Sequence, residues 1–171
     1  MVTLNNNSIK GEGVMRKRKS WDEYFMEIAE IVATRSTCDR AEVGCLIVND
    51  DNRIVSTGYN GSISGNPHCN DVGHVMRDGH CIATIHAEIN ALIYCAREGI
   101  SVKGCRVYVT HFPCLNCTKA LIQAGIKKIY YRNDYRIDDY AVELLKRNNV
   151  EFVKIEGSFL DPFLLMKSFF S

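Results

Sequence analysis

The chain has 171 residues, with 21 Lys and Arg against 20 Asp and Glu. This length suits one compact domain and excludes two independent enzymatic domains. With 46% hydrophobic residues and only three prolines the composition is globular, and the net charge of +1 disfavours a protein that tracks a long polynucleotide.

The two ends of the chain differ in composition from its body. Basic residues gather near the start, and we expect residues 1–19 to form a poorly ordered basic arm. Residues 157–171 form an apolar tail whose packing the sequence leaves open, which makes 20–156 the expected domain. The chain has neither a membrane-length apolar run nor a secretory signal, so we expect a cytoplasmic protein without a membrane partner.

The first half of the domain predicts one helix, one hairpin and one long loop. Ser20 followed by Glu23 is a capping box, which predicts a helix over 20–35. Two short β-branched runs predict paired strands over 43–48 and 53–59. Residues 60–80 carry many glycines and few large apolar side chains, which predicts a loop without regular structure, and loops of this length usually carry function.

Helices and strands alternate in the second half. The expected segments are a helix over 86–98, a strand over 106–110, a helix over 114–124, a strand over 128–131, a helix over 139–148 and a strand over 151–155. This order, after an opening hairpin, predicts an α/β protein. We expect a three-layer α/β/α sandwich with a mixed five-stranded sheet.

Eight cysteines occur in a chain that lacks an export signal. In a reducing compartment this number indicates metal binding or catalysis rather than a disulfide framework. Cys45, Cys95 and Cys105 lie in apolar patterns and are expected to be small core residues.

Two short motifs begin predicted helices, His86-Ala87-Glu88 and Pro113-Cys114-Leu115-Asn116-Cys117. Because Cys114 and Cys117 are three residues apart, both sulfurs face one side of a first turn, where the helix dipole favours thiolates. His86 as third ligand would leave one position of a tetrahedral zinc for water, which is typical of catalytic sites. Glu88 can then act as general acid and base. A noncatalytic zinc-stabilised binding module, with Glu88 an ordinary first-turn acid, is the alternative from another class.

This pair of motifs is the signature of zinc-dependent nucleobase deaminases. From about Trp21 to Ile155 the chain resembles the cytidine deaminase superfamily, and within it the deoxycytidylate (dCMP) deaminases. The motifs that carry this closer resemblance are Arg35-Ser-Thr-Cys38, Val43-Gly44, Ser56-Thr-Gly-Tyr-Asn-Gly61, His68-Cys69, Cys81 through Glu88, and Tyr108-Val-Thr-His-Phe-Pro-Cys114.

The resemblance implies hydrolytic deamination of dCMP to dUMP and ammonia, which feeds thymidylate synthesis. It also implies a homohexamer that is activated by dCTP with Mg²⁺ and inhibited by dTTP. A deaminase of deoxycytidine, dCTP or tRNA would use the same four residues and is the nearest alternative, although the near-neutral charge disfavours a polynucleotide substrate.

The loop over 60–80 and its flanks are rich in metal-binding side chains. A polar segment of this length buries little apolar surface, so a closed metal site would explain how it is ordered. The resemblance implies a second, structural zinc. The expected ligands are Cys38, Cys69, His74 and His80, with His68 and Cys81 in reserve. Alternatively, Cys69 and Cys81 are buried small residues and the histidines face solvent or phosphate.

Six further residues are expected near the substrate. Asn60 suits a sugar hydroxyl or base edge, although a turn asparagine is the alternative. Arg35 and Ser36 suit the 5′-phosphate, although Arg35 could be an ordinary charge at a helix end. Phe112 and Tyr135 could line the pyrimidine or belong to the core. The full set is Asn60, Arg35, Ser36, Ala87, Phe112 and Tyr135.

Overall fold

The computed structural model describes residues 18–157. The predicted apolar tail beyond Gly157 and the predicted basic arm before Arg18 lie outside this range. Within it the elements are α1 (Trp21–Ala33), β1 (Gly44–Val48), β2 (Ile54–Tyr59), β3 (Gly61–Ser62), α2 (Cys69–Val72), β4 (Met76–Arg77), β5 (His80–Cys81), β6 (Thr84–Ile85), α3 (Ala87–Glu98), β7 (Arg106–His111), α4 (Leu115–Gln123), β8 (Lys128–Asn133), α5 (Asp139–Arg147) and β9 (Glu151–Lys154). None of the helices in 18–157 has the length and apolarity needed to span a bilayer.

The main sheet has five strands in the order β2-β1-β7-β8-β9. β1 runs antiparallel to β2 and to β7, whereas β7, β8 and β9 are parallel. The predicted mixed five-stranded sheet and its opening hairpin are therefore confirmed. The parallel strands end at one edge of the sheet, and the helices that follow them begin there.

The two faces of this sheet bury different sets of apolar side chains. Alternation along β7 sends Tyr108 towards Phe25 and Met26 of α1, and sends Val107 and Val109 to the opposite face. That second face packs against residues of α3, α4 and α5. The predicted three-layer α/β/α sandwich is thus confirmed.

Helix α1 begins at the predicted capping box. The Ser20 hydroxyl accepts the backbone N–H of Glu23, and the Glu23 carboxylate accepts the backbone N–H of Ser20. Farther along, buried Glu30 binds Arg132 of β8 through an Nε–Oε1 contact of 2.9 Å. The same guanidinium donates to the carbonyl oxygens of Ile155 and Glu156. One arginine therefore connects α1, the sheet and the chain after β9.

Two glycines allow helices to lie directly on the sheet. A Cβ at Gly44 would lie 2.0 Å from the Ala29 carbonyl oxygen of α1. A Cβ at Gly58 would lie 2.2 Å from the Ala87 carbonyl oxygen and 2.7 Å from the Ala91 nitrogen of α3. Strand β2 therefore fixes the position of the first turn of α3.

The prediction that 60–80 lacks regular structure is wrong. This segment contains β3, α2, β4 and the start of β5. β3 pairs with β6, and β4 pairs with β5 to form a small hairpin. Each element has only two to four residues, which is too short for hydrophobic periodicity to appear in the sequence.

Candidate active site and second metal centre

The first site lies where α3 and α4 begin. His86 is the N-cap residue of α3, Cys114 is the N-cap residue of α4, and Cys117 lies in the first turn of α4. His86 Nδ1 is 3.5 Å from Cys114 Sγ and 3.4 Å from Cys117 Sγ. The three ligand atoms lie within 4.8 Å of one another. The structure therefore brings together the three side chains that the motif spacing selected.

The electrostatics of this group favour a metal cation. Hydrogen bonds from Cys117 and from His86 lower the pKa of the Cys114 thiol to about 4. Sharing the proton with Cys114, together with burial, raises the pKa of Cys117, and the bond to Cys114 raises the pKa of His86. Zinc takes sulfur and nitrogen ligands in tetrahedral sites and binds cysteine as thiolate, so His86 together with Cys114 and Cys117, once both are deprotonated, fits this metal.

Glu88 lies beside this group but is not one of its ligands. Its side chain is buried, with 4% of its surface exposed, and burial raises the pKa of the carboxyl group. A raised pKa lets a carboxylate accept a proton and release it again near neutral pH. The arrangement can therefore bind a metal and move a proton beside it.

A second cluster of potential metal ligands connects the segment between α1 and β1 with residues 69–81. Its ligand atoms come from Cys38, Cys69, His74 and Cys81 and lie within 4.8 Å of one another. Cys38 Sγ is 3.6 Å from His74 Nδ1, and Cys69 Sγ is 3.6 Å from Cys81 Sγ. Three sulfurs and one imidazole fit a closed structural zinc site.

The prediction of His80 as the fourth ligand is wrong, because Cys81 holds that position in the cluster. His80 and Cys81 are neighbours in β5, so their side chains point to opposite sides of the hairpin. His80 is exposed, and its ring nitrogens lie 3.1 and 3.3 Å from Arg136 Nη1. His68, the other reserve residue, is the exposed N-cap of α2 and lies outside the cluster.

Asp39 contacts a residue of this cluster and was not predicted from the sequence. Its Oδ1 lies 3.0 Å from His74 Nε2, while Nδ1 of the same ring faces Cys38. A carboxylate on the far nitrogen orients a metal-binding histidine and raises its basicity. Asp39 directly follows the predicted ligand Cys38 in the sequence, and this position could have indicated the contact.

Three expected substrate residues have structural contacts in the described chain. The Asn60 amide accepts the Val43 N–H and donates to the Ala41 carbonyl, each at 2.8 Å. Ser36 Oγ accepts the Cys38 N–H and lies within donor distance of the Cys38 and Asn60 carbonyls. Asn60 and Ser36 thus hold the segment before β1. Phe112 is 3% exposed and packs edge-on against Tyr131, so it is a core residue.

The other three expected residues lie in different settings. Ala87 is fully buried at the start of α3, between His86 and Glu88. Arg35 is exposed just after α1. Tyr135 follows β8, is 43% exposed, and places its ring edge-on to His111 at a centroid distance of 5.7 Å. Only Tyr135 is an aromatic side chain with surface free for a ligand among these six.

A family model supports what the fold and the site suggest. A His-Cys-Cys group beside a glutamate that is not a ligand is the arrangement of zinc-dependent nucleobase deaminases. Residues 19–133 match the family model described as the cytidine and deoxycytidylate deaminase zinc-binding region. The chain belongs to this family.

Three individual relatives are similar to this chain over most of its length. ComE operon protein 2 of Bacillus subtilis is 48% identical over 140 residues, which are 82% of this chain and 74% of that protein. Human deoxycytidylate deaminase is 40% identical, over 71% of this chain and 70% of that protein. The fission yeast enzyme of the same name is 36% identical over 80% of this chain, which matches only 44% of that longer protein.

One solved structure is similar to this chain in both sequence and fold. The dCMP deaminase of cyanophage S-TIM5, crystallised with dCMP and dUMP, is 36% identical, with a TM-score of 0.71 over 81% of this chain and 99% of that chain.

Proposed function

We propose that the protein hydrolyses dCMP to dUMP and ammonia. The observation that carries the proposal is the buried carboxyl of Glu88 beside the His86, Cys114 and Cys117 group. The curated relatives named deoxycytidylate deaminase support the monophosphate as substrate. The cyanophage enzyme, whose structure contains dCMP and dUMP, supports the same choice.

The roles of the residues follow from their positions. His86, Cys114 and Cys117 would hold zinc, which when bound supplies a Lewis acid that lowers the pKa of a water molecule to about 7. Glu88 takes the proton from the water that adds to C4 of the pyrimidine. It passes this proton to the ring nitrogen. It then takes the proton of the new hydroxyl group on C4 and passes it to the leaving amine, so that the C4–N bond breaks and ammonia departs. The burial that raises the pKa of Glu88 suits this exchange.

Ammonia release from dCMP, dCTP and deoxycytidine, measured side by side on zinc-loaded protein, tests the substrate. We expect turnover of dCMP above the other two. Turnover of deoxycytidine alone, or of none of the three, would contradict the proposal. A cytosine or adenine in tRNA would serve as a fourth substrate, on which we expect no release.

We also propose a second, structural zinc held by Cys38, Cys69, His74 and Cys81. The closeness of four ligand atoms supports it, as does the contact of Asp39 with the far nitrogen of His74. Such a site would stabilise the short elements α2, β4 and β5, which bury little apolar surface of their own. A zinc count on variants of the cluster tests this site.

Regulation and assembly complete the proposal. By resemblance, dCTP with Mg²⁺ activates and dTTP inhibits a cytoplasmic homohexamer. A groove of about 330 Å³ beside Tyr59, Ser62, His68 and Asn90 has room for a small ligand. Light scattering with each nucleotide tests the assembly, and rates with dCTP or dTTP test the regulation. A monomer indifferent to both nucleotides would contradict this part.

A further inference from the structure

The end of β7 carries a histidine that the proposed mechanism does not use. His111 is the last residue of β7 and precedes Cys114 by three positions. Three residues span at most about 10 Å. Strand alternation places His111 on the face of Val107 and Val109, which pack with residues of α3 and α4. His111 therefore lies at the same edge of the sheet, and on the same face, as the His86, Cys114 and Cys117 group.

The hydrogen bonds around His111 define which ring nitrogen carries the proton. Gly44 donates its N–H to Thr110 Oγ1 at 3.2 Å, and Oγ1 lies 3.0 Å from His111 Nδ1. Within residues 18–157 the Thr110 hydroxyl has no acceptor other than this Nδ1. A hydroxyl donor and an Nδ1 acceptor fit this contact, because donation in the other direction would leave the hydroxyl proton without an acceptor.

The proton of the neutral ring must then lie on Nε2. Burial lowers the pKa of His111, so the ring is neutral near pH 7. A neutral imidazole whose Nδ1 accepts a hydrogen bond is a donor at Nε2. Among the described residues no acceptor meets this Nε2–H. A half-buried, directed donor without a protein acceptor suits a ligand oxygen.

The ring is also fixed from a second side. Tyr135 lies edge-on to it, with an interplanar angle of 88° and a centroid distance of 5.7 Å. Tyr135 follows β8, the neighbour of β7 in the sheet. Two adjacent strand ends thus orient the imidazole before any ligand binds, which reduces the entropy lost on binding.

We propose that His111 is a substrate-binding residue that donates its Nε2–H to an acceptor oxygen of the bound nucleotide, and that Thr110 is a positioning residue that sets the ring tautomer. This inference rests on the proposed function. A pyrimidine nucleotide offers such an oxygen either on its nucleoside part or on its phosphate. The chemistry of the contact is the same in both cases.

Steady-state kinetics on the zinc-loaded full chain test the contact. We expect His111→Phe to raise KM for dCMP about 3- to 10-fold while kcat is kept, because a neutral hydrogen bond to bound substrate is lost. A rise for both dCMP and deoxycytidine assigns the acceptor to the nucleoside, and a rise for dCMP alone assigns it to the phosphate. An unchanged KM for both substrates would overturn the proposal.

Two variants of Thr110 separate positioning from simple structural support. Thr110→Val removes the hydroxyl and should raise KM as His111→Phe does. Thr110→Ser keeps the hydroxyl and should restore the wild-type KM. If both Thr110 variants have the same KM, the positioning role is wrong.

Nitrogen NMR of the five histidines provides a readout that does not depend on turnover. We expect His111 to be protonated at Nε2 in the nucleotide-free, zinc-loaded protein, and its Nε2 signal to move when dUMP is added. Protonation at Nδ1, or an Nε2 signal indifferent to saturating dUMP, would overturn the inference. Wild-type protein inactive on every cytosine substrate would instead overturn the proposed function, while the tautomer result would still stand.

Discussion

At the scale of single residues, the two clusters take their ligands from different kinds of local structure. A spacing of three on one helical turn places Cys114 and Cys117 together whatever the rest of the chain does. The choice between His80 and Cys81 depends on the register of a two-residue hairpin, because that register decides which neighbour points inward. Sequence spacing alone carries no information about it.

The choice of ligand predicts opposite zinc counts for two adjacent substitutions. We expect Cys81→Ser to lose one of two zinc ions per chain, because it removes a sulfur from the cluster. His80→Ala should keep both ions, since His80 contacts Arg136 instead. Elemental analysis of the purified variants measures this. Loss of zinc in His80→Ala with retention in Cys81→Ser would reverse the assignment.

Tyr108 predicts a dependence of stability on pH. Its hydroxyl donates to Asp22 Oδ1 at 2.6 Å, and burial with this bond raises the pKa of the phenol. The stabilisation is therefore complete below the unfolded-state pKa of about 10 and declines as the pH rises above it.

Urea unfolding of wild type and Tyr108→Phe at pH 7 and at pH 10.5 measures this contribution. At pH 7 the variant should lose about 1–3 kcal/mol, because a hydrogen bond to a carboxylate is removed. The difference should shrink at the higher pH. A difference that stays constant or grows would show that the phenol pKa is not raised.

At the scale of elements, long periodic helices and strands were predictable, and short pairings were not. The helix and strand pattern after residue 86 appears in the structure with boundaries shifted by a few residues. β3 and β6 were missed, because Gly61 pairs with Ile85 across a gap that no local pattern reports. Tertiary contact and metal binding, rather than propensity, stabilise such elements.

The close contact between β2 and α3 gives a prediction at this scale. Gly58→Ala and Gly44→Ala each place a methyl group against helix backbone, and each should destabilise the fold by about 1–3 kcal/mol. Only Gly58 touches the first turn of α3, next to Glu88. We therefore expect Gly58→Ala alone to lower kcat of folded, zinc-loaded protein.

Gly44→Ala is the matched control, because it strains α1 on the opposite face of the sheet. Both variants are compared by thermal unfolding and by kcat per zinc-loaded chain. Equal losses of kcat in the two variants would mean that β2 does not position the site.

At the scale of the whole molecule, the layered architecture followed from the order of elements, but the polar link between its layers did not. Glu30 and Arg132 are 102 positions apart and about equally buried, with 8% of each side chain exposed. Nothing in their local sequence marks them as partners. Their bond joins α1 to β8 and, through Arg132, to the chain after β9.

This link predicts a large loss of stability on removal of one charge. We expect Glu30→Ala to cost about 3–5 kcal/mol, because Arg132 would be left as an uncompensated buried charge. Asp134→Ala, which breaks the more exposed contact with Lys154, should have a much smaller effect, because solvent screens this pair. Chemical unfolding of both variants compares them, and equal costs would contradict the account.

Ammonia release from dCMP by Glu88→Gln, with zinc counted on the same sample, tests the central claim most directly. Glu98→Gln is the matched control, since Glu98 is an exposed acid at the far end of the same helix. We expect Glu88→Gln to lower the rate at least 100-fold with zinc retained, because proton transfer is lost, and Glu98→Gln to keep the wild-type rate. Undiminished ammonia release by Glu88→Gln with zinc in place would contradict the proposed mechanism.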